Sequence, residues 1–412
     1  MPAGRPYFGW IVVIYAALVF TAVTGSTFSI FGLLVLPVSR EFDLSRADIN
    51  TAIICLNLGS AMVAPLIGRL LDRVPARRMM LVSSLLFGSS LVALGQSQSL
   101  PLSALIILVP LSIGLIGSGT LTMSVLIARW FTAHRGRAMT LAMIGTSTGG
   151  LTIAPVTAWL IEREGWRTTL TLIGLAMTVL LVTLVILIRE RPGPDDVETA
   201  SAPNRSPNRP NQHGAPTDKL AVLAMLKMPL FWTVGMAAAL GLAVPQAIGV
   251  SLIPLVLERG FSTMQGASLI AASGTSAILG KFAMAVLADK IDRTYLLALL
   301  IALAMIPAAG LVYGTAFPAM VALAIVLGLS ASVVAPIFYT LLADRFGLTN
   351  FGTVRGIMAP VTATMGAVGV RFIGEMHDAT GNYDLGFLIL AGIAILASVL
   401  MLVSRSIPCR RP

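Results

Sequence analysis

Apolar residues dominate this chain in long blocks that are separated by short polar segments. The blocks show neither the alternation of a half-buried strand nor the 3.6-residue stripe of a surface helix. A helix of about 20 apolar residues crosses the ~30 Å hydrocarbon core of a bilayer, because it rises ~1.5 Å per residue. The pattern therefore predicts an all-α integral membrane protein.

Charges and turn residues divide the chain into twelve blocks, six on each side of a long polar segment. The first six are predicted at about 8–38, 47–71, 79–97, 101–128, 138–161 and 167–188. The second six are predicted at about 229–257, 266–288, 294–314, 318–342, 356–376 and 385–404. The first block is too long for a signal-peptide core and no small-residue cleavage site follows it, so we expect it to be retained as a helix.

The segment between the two sets contains RPGPDDVETASAPNRSPNRPNQHGAPTDK, which is rich in Pro, Asn, Ser and Asp. It has no apolar periodicity, and this composition is typical of a disordered linker. The predicted organisation is a six-helix N-terminal half at 1–188, a linker at 189–228, and a six-helix C-terminal half with a short tail at 229–412.

Composition supports the membrane assignment and charge gives the orientation. Hydrophobic residues make up 56% of the chain and charged residues 11%, whereas a soluble domain carries about 25% charged residues. The net charge of +10 comes from arginines in short loops, which indicates topology rather than nucleic-acid binding. More of them face the cytoplasm if both termini lie there, so we expect a multi-pass protein of the bacterial inner membrane with both termini inside. The positions of Cys55 and Cys409 do not suggest a disulfide.

Two similar stretches indicate that the halves are duplicated. GRLLDRVPARR, from Gly68, follows the second block, and AVLADKIDR, from Ala285, follows the eighth. Each places an acid beside a base at the same point of its half: Asp72 with Arg73, and Asp289 with Lys290. Repeated halves are typical of secondary transporters. We predict that charge pairs and helix capping by these four residues latch the halves together when the cytoplasmic side is closed. Positive-inside topology is the alternative, and it explains the basic residues but not the repeated aspartates.

GRLLDRVPARR resembles the loop signature G-x-L-x-D-R-x-G-R-R of the major facilitator superfamily, with Pro75 in place of the second glycine. The stretches that begin at Gly9 and Ala128, and SLIPLVLERGFS…GKFAMAVLADK in the second half, resemble the monocarboxylate and oxalate/formate porters of that superfamily. The resemblance implies the major facilitator fold, with twelve transmembrane helices in two six-helix pseudo-symmetric halves.

The chain also departs from that branch at positions that carry charge in its members. Many relatives have arginine where this chain has Lys281, and the proton-coupled ones have aspartate one turn earlier, at Ala277. Their first-span lysine aligns with Phe28, the eleventh-span lysine of oxalate-type porters with Thr362, and a histidine of bacterial relatives with Ser251. The resemblance therefore leaves substrate and coupling open.

Lys281 is the main candidate for substrate binding. It lies eight residues before Asp289, about 12 Å into the span and close to the membrane midplane. An ammonium there costs about 2.5–3.5 kcal/mol, so we expect it to face a wet cavity. Its apolar run contains no acid, which makes an anionic substrate, most simply a carboxylate, the expected counter-ion. Alternatively, the amine snorkels to the interface or donates to backbone carbonyls of a neighbouring helix.

Five further residues are weaker candidates. Arg371 lies near the external face, where it contacts substrate or forms only an i, i+4 pair with Glu375. Four uncharged residues lie near mid-depth, and each binds substrate or forms interhelical hydrogen bonds. These four residues are Gln246, Asn57, Thr146 and Thr148.

The sequence argues against an enzyme. His134, His213 and His377 all lie in loops or in the linker, and no acid pair falls within a span, so no catalytic site, metal or cofactor is expected. GTSAILGK, which ends at Lys281, lacks the spacing of a phosphate-binding loop, which excludes ATP-driven pumping. A repeated fold with a charge at the midplane favours alternating access over a channel or receptor.

The predicted function is therefore secondary active transport of small organic anions, either mono- or dicarboxylates, by anion exchange or proton symport. The alternative is an exporter of amphipathic compounds or drugs, because the 19 methionines suit adaptable surfaces. We expect a monomer that contacts membrane lipid and the substrate anion, with no nucleic-acid partner.

Overall fold

The computed structural model describes residues 7–42, 46–190, 226–314, 316–348 and 351–407, and within these ranges the regular elements are all helical. This confirms the all-α prediction. The predicted linker at 189–228 lies almost entirely outside the described residues and stays a prediction.

Twelve spans can be identified in the described part of the chain. Ten helical segments are long and apolar enough to cross a membrane, and one of them, Arg135–Leu187, contains two spans. These two spans are separated at Gly165, whose φ of 76° and ψ of 161° interrupt the helix. A side chain would strain that backbone conformation, which explains why glycine ends the fifth span. The ten segments therefore contain eleven spans. A shorter apolar stretch, Cys55–Leu71, is span 2 and completes the twelve.

The first six spans form the N-terminal bundle. Span 1 comprises Phe8–Thr24, a π-helical turn Gly25–Ser29 and Ile30–Phe42; span 2 is Arg46–Leu71; and span 3 is Ala76–Gln96. Span 4 comprises Leu100–Ile106, a π-helical turn Ile107–Leu111, Ser112–Ser118 and Thr120–Trp130. Span 5 comprises Arg135–Ala142 and the part of Ile144–Leu187 before Gly165, and span 6 is the part after it.

The last six spans form the C-terminal bundle. They are span 7, Pro229–Glu258; span 8, Thr263–Leu287; span 9, Arg293–Leu303 with Met305–Tyr313; span 10, Phe317–Phe346; span 11, Phe351–Thr380; and span 12, Asp384–Val403.

The two bundles meet at the end of the molecule where the even-numbered spans end, which we call the linker face. Spans 2 and 11 cross there in close contact through glycines. A Cβ atom on Gly68 would lie 2.2 Å from the carbonyl oxygen of Gly352, and one on Gly356 would lie 2.4 Å from that of Ala64. These distances are far inside van der Waals contact, so spans 2 and 11 can approach this closely only because both residues are glycines. The first glycine of the repeated motif therefore has a packing role.

Candidate functional site

Lys281 is buried at the boundary between the bundles. Its side chain projects from span 8, and the residue is 4% exposed. The Nζ atom donates three hydrogen bonds to span 5: to the carbonyl oxygen of Met143 at 2.9 Å, to Thr146 Oγ1 at 2.9 Å and to Ser147 Oγ at 2.8 Å. Met143 is the point where span 5 is interrupted. The amine thus joins the C-terminal bundle to the N-terminal one.

This geometry corrects the expectation that Lys281 faces a wet cavity. In this arrangement the amine is enclosed, and it donates to a neighbouring helix, as the alternative interpretation stated. The physical reason is that a buried ammonium must have hydrogen-bond acceptors, and span 5 supplies three. All three acceptors are uncharged, and no carboxylate pairs with Lys281 among the described residues.

Of the four uncharged candidates, the structure brings only Thr146 to Lys281. The Thr148 hydroxyl instead shares a hydrogen bond of 2.8 Å with Thr21 Oγ1 of span 1, which is an interhelical contact within one bundle. Asn57 and Gln246 are exposed side chains on spans 2 and 7. Sequence reasoning missed Ser147, although it follows Thr146 directly.

Arg371 lies apart from the Lys281 cluster. Its side chain is 82% exposed, and its Nε atom donates to Glu375 Oε1 at 2.6 Å, one helical turn further along span 11. The structure therefore contains the i, i+4 pair that was the alternative interpretation.

We expect Arg371→Gln to change organic-anion uptake by no more than about twofold, because an exposed ion pair is largely screened by solvent. Initial uptake rates in proteoliposomes provide the measurement, with Glu375→Gln as the matched control that breaks the same pair from its other side. A tenfold loss with Arg371→Gln alone would instead place the guanidinium on the substrate path.

Asp72 caps the first turn of span 11 across the bundle boundary. Its Oδ1 accepts from the Gly352 N–H at 3.1 Å, and its Oδ2 accepts from the Thr353 N–H at 2.8 Å and from Thr353 Oγ1 at 2.6 Å. The first N–H groups of a helix have no intrahelical acceptor and carry partial positive charge, so a carboxylate is favourable there.

Asp289 makes the equivalent contact in the other direction. Its two oxygens accept from the backbone N–H groups of Gly136 and Arg137, at 2.8 and 3.0 Å. The end of span 2 therefore caps span 11, and the end of span 8 caps span 5. The internal repeat places two helix caps in a pseudo-symmetric arrangement at the linker face.

The bases beside these aspartates do not take part in this way. Arg73 and Lys290 are both exposed, and within the described residues neither forms an ion pair with the aspartate that precedes it. In the described residues the two aspartates therefore contact the opposite bundle by capping, without an ion pair to the base that follows each in sequence. The N–H groups that each aspartate caps lie in the opposite bundle.

A charge network that the sequence reasoning missed extends the cap at Asp289. Arg135 Nη1 contacts Asp344 Oδ1 at 2.7 Å, which joins span 5 to span 10. Arg293 pairs with both Asp344 and Asp289, the latter at 3.3 Å. The sequence contains a signal for Asp344, because LADR at 342–345 repeats LADK at 287–290.

Arg355 is a further buried cation that sequence reasoning missed. The predicted span 11 started after it, at 356, because a charge was interpreted as the edge of the membrane. The helix in fact begins at Phe351, and Arg355 is 5% exposed. Its Nη1 atom donates to the carbonyl oxygen of Thr120, next to the interruption of span 4 at Gly119.

Removing the Asp72 carboxylate, and with it two hydrogen-bond acceptors, is expected to favour the open linker face. Asp72→Ala leaves two N–H groups of span 11 without an acceptor when the linker face is closed, a loss of about 1–2 kcal/mol. That corresponds to a roughly 5- to 30-fold shift toward an open linker face. Labelling of Ile116→Cys by a membrane-impermeant thiol reagent, in a background without Cys55 and Cys409, measures this shift. Arg73→Gln is the matched control and should label like the unmodified protein.

Acidification is expected to favour the closed linker face, which is the opposite of the effect of Asp72→Ala. Burial raises the pKa of the Asp72 carboxyl above its usual range, and the hydrogen bonds from Thr353 and Gly352 offset only part of this effect. When the bundles separate, the carboxyl returns to water and to an ordinary pKa of about 3.9. The closed arrangement therefore takes up a proton as the pH falls through the raised pKa, and acidification at the linker face should reduce labelling. Asp72→Asn should remove this pH effect because its amide does not titrate, and increased labelling of the unmodified protein on acidification would contradict this prediction.

Twelve spans in two bundles that share caps across one face define a polytopic membrane transporter. The chain belongs to the major facilitator superfamily, whose family model matches residues 14–370. It is 27% identical to monocarboxylate transporter 11 of Mus musculus over 99% of this chain and 90% of that protein. It is 25% identical to monocarboxylate transporter 13 of Rattus norvegicus over 71% of this chain and 66% of that protein.

Among solved structures, the fold is similar to that of the proton:xylose symporter XylE, with a TM-score of 0.76 at 16% identity, over 97% of this chain and 96% of that one. This similarity confirms the predicted major facilitator fold. The chain is therefore a multi-pass membrane transporter and not an enzyme.

Proposed function

We propose that this transporter carries small organic anions by secondary active transport. The observation that carries the proposal is the state of Lys281, a buried ammonium whose three acceptors are all uncharged. A carbonyl and two hydroxyls satisfy its hydrogen bonds but leave its charge uncompensated. Inside a membrane an uncompensated charge is costly and marks a substrate or ion pathway.

Alternating access gives this amine its role. When the bundles separate at the linker face, span 8 moves away from span 5 and Lys281 loses all three acceptors. A carboxylate in the space that opens then supplies both the lost hydrogen bonds and the missing negative charge. The names of the monocarboxylate relatives support this choice of anion.

The linker face is the cytoplasmic face in this proposal. The arginines and lysines of the repeated loops, including Arg73 and Lys290, lie there, and positive charge near span ends favours the cytoplasmic side. The protein then lies in the bacterial inner membrane with both termini inside. The two aspartate caps act as the latch of the closed cytoplasmic side, because each joins the end of a span in one bundle to the start of a span in the other.

The same charge pattern limits the coupling mechanism. Among the described residues, Lys281 has no acidic partner that could exchange a proton with it. Anion exchange and symport of a proton on the substrate's own carboxyl both agree with this arrangement. An imposed pH gradient distinguishes them, because it drives net uptake only in the second case.

Transport by purified protein in proteoliposomes tests the function. We expect uptake of radiolabelled lactate or oxalate, either in exchange for internal anion or driven by an inward proton gradient. Excess unlabelled short carboxylate should inhibit this uptake, and a cationic dye should not. Dye transport without carboxylate transport would support the exporter alternative and contradict the proposal.

A further inference from the structure

Arg355 combines burial with an unsatisfied donor. The residue is 5% exposed, and its Nη1 atom donates to the Thr120 carbonyl oxygen of the opposite bundle. Its Nε atom is buried and has no hydrogen-bond partner in the described part of the chain. The ring of Tyr339 lies 3.9 Å from the guanidinium carbon and covers one face of the group. A buried donor that belongs to a charged group is rarely left without an acceptor.

A small cavity adjoins this guanidinium. It has a volume of about 80 Å³ and lies between spans 4, 10 and 11, where the bundles meet. Its lining includes four residues with polar side chains, Arg355, Thr120, Tyr339 and Thr362. The remainder of its wall is apolar, with Ile116 and Met358 among the lining residues. A volume of this size accommodates a group of a few heavy atoms.

We propose that Arg355 and this cavity form a second anion-binding site, distinct from Lys281, for a carboxylate of a few heavy atoms. The inference rests on the proposed function, because it adds a second binding site to the same transport path. The carboxylate accepts a charge-assisted hydrogen bond from Arg355 Nε, and its short apolar part lies against Ile116 and Met358.

The geometry favours a carboxylate at this position over water alone. Tyr339 and the Thr120 carbonyl already occupy one face and one amino group of the guanidinium, so the Nε edge remains for a ligand. Neither neighbour is charged, and no acidic residue lines the cavity. Water could satisfy the donor but not the charge, whereas a carboxylate satisfies both.

The two cations have parallel arrangements in the fold. Lys281 and Arg355 both project from the C-terminal bundle, and each donates to a backbone carbonyl beside an interruption of an N-terminal helix, Met143 in span 5 and Thr120 in span 4. The hydrogen-bond acceptors of Lys281 are not among the residues that line the cavity. Separation of the bundles at the linker face therefore uncovers two cations at two different places.

Ligand-induced thermal shifts of the purified protein test the second site, because a ligand that binds the native state raises its midpoint. The probe is acetate, compared with chloride at equal concentration. We expect Lys281→Met and Arg355→Gln each to retain part of the acetate shift and the double variant to retain none. Arg163→Gln, an exposed arginine outside the cavity, should retain the full shift.

A full acetate shift in Arg355→Gln, or its complete loss in Lys281→Met alone, would overturn the second site and leave the proposed function intact. No shift in the unmodified protein would overturn both. An equal shift with chloride would overturn the carboxylate assignment. If Arg355→Gln does not fold, Ala359→Leu fills the cavity from the same helix without altering the guanidinium. It should likewise remove part of the shift, and a full shift would again overturn the site.

Discussion

Replacing Lys281 with methionine is expected to abolish organic-anion uptake while the protein remains folded. The two effects separate because they depend on different properties of the side chain. Methionine keeps the length and apolar contacts of the lysine side chain, and replacing a buried charge with an apolar group of similar volume is often neutral or stabilising. The substrate, by contrast, loses its charged donor.

The magnitude follows from the bond that is lost. A hydrogen bond to a charged group contributes about 1.5–3 kcal/mol, so its removal alone lowers substrate affinity roughly 10- to 150-fold. Uptake at low substrate concentration should fall by at least that factor, and Lys281→Gln should behave like Lys281→Met. Lys281→Arg keeps the cation and should retain measurable uptake.

Thr148→Val is the matched control for Lys281→Met. It removes a hydroxyl from the same region of span 5 that bonds to Thr21 and not to the amine. Initial rates at equal membrane expression, together with the unfolding midpoint without substrate, give both quantities. If Lys281→Met lowers the unfolding midpoint strongly and uptake falls only in proportion to the loss of folded protein, the role of the amine is structural. The proposed function then loses its main support.

The sequence predicted the spans well because each must bury a long apolar surface, and that requirement is visible along the chain. It also located Lys281 deep in span 8. It did not show the partners of Lys281, because Met143, Thr146 and Ser147 lie about 135 residues away on a helix of the other bundle. A carbonyl acceptor has no sequence signature, since every residue carries one.

Arg355 shows a second limit of the pattern. A charge next to an apolar block was interpreted as the end of the span, which is usually correct since lipid excludes charge. Here the guanidinium is covered by Tyr339 and by the opposite bundle instead of by lipid or water. Only the three-dimensional contact between bundles makes an arginine possible at that position.

The linker-face aspartates lie between these two cases. The repeat identified Asp72 and Asp289 as equivalent positions, and the structure gives both the same geometry, a carboxylate on the first N–H groups of a helix. The repeat also suggested Arg73 and Lys290 as partners, because they are neighbours in sequence. Helix capping from the opposite bundle is a tertiary contact, so a local pattern identifies the acid but not its partner.

Introducing valine at Gly68 is expected to prevent the linker face from closing. The Cβ atom alone would lie 2.2 Å from the carbonyl oxygen of Gly352, and this contact is with backbone, which no side-chain rotation relieves. Overpacking of this kind costs about 1–3 kcal/mol, and the bundles avoid that cost by staying apart at this face. The expected result is a roughly 5- to 150-fold shift toward the open linker face, with a matching loss of transport because one of the two alternating states is blocked.

The control for Gly68→Val is Gly374→Ala, a substitution on span 11 at a position where a Cβ atom meets nothing within 4 Å. It should leave transport unchanged and stabilise the helix by up to about 1 kcal/mol. Labelling of Ile116→Cys from the linker side reports the open fraction in both variants. Gly68→Val acts through sterics and Asp72→Ala through lost hydrogen bonds, so the valine variant should label strongly although its Asp72 cap is intact. Low labelling of Gly68→Val together with normal uptake would contradict this prediction, because the linker face would then close without the close contact at Gly68.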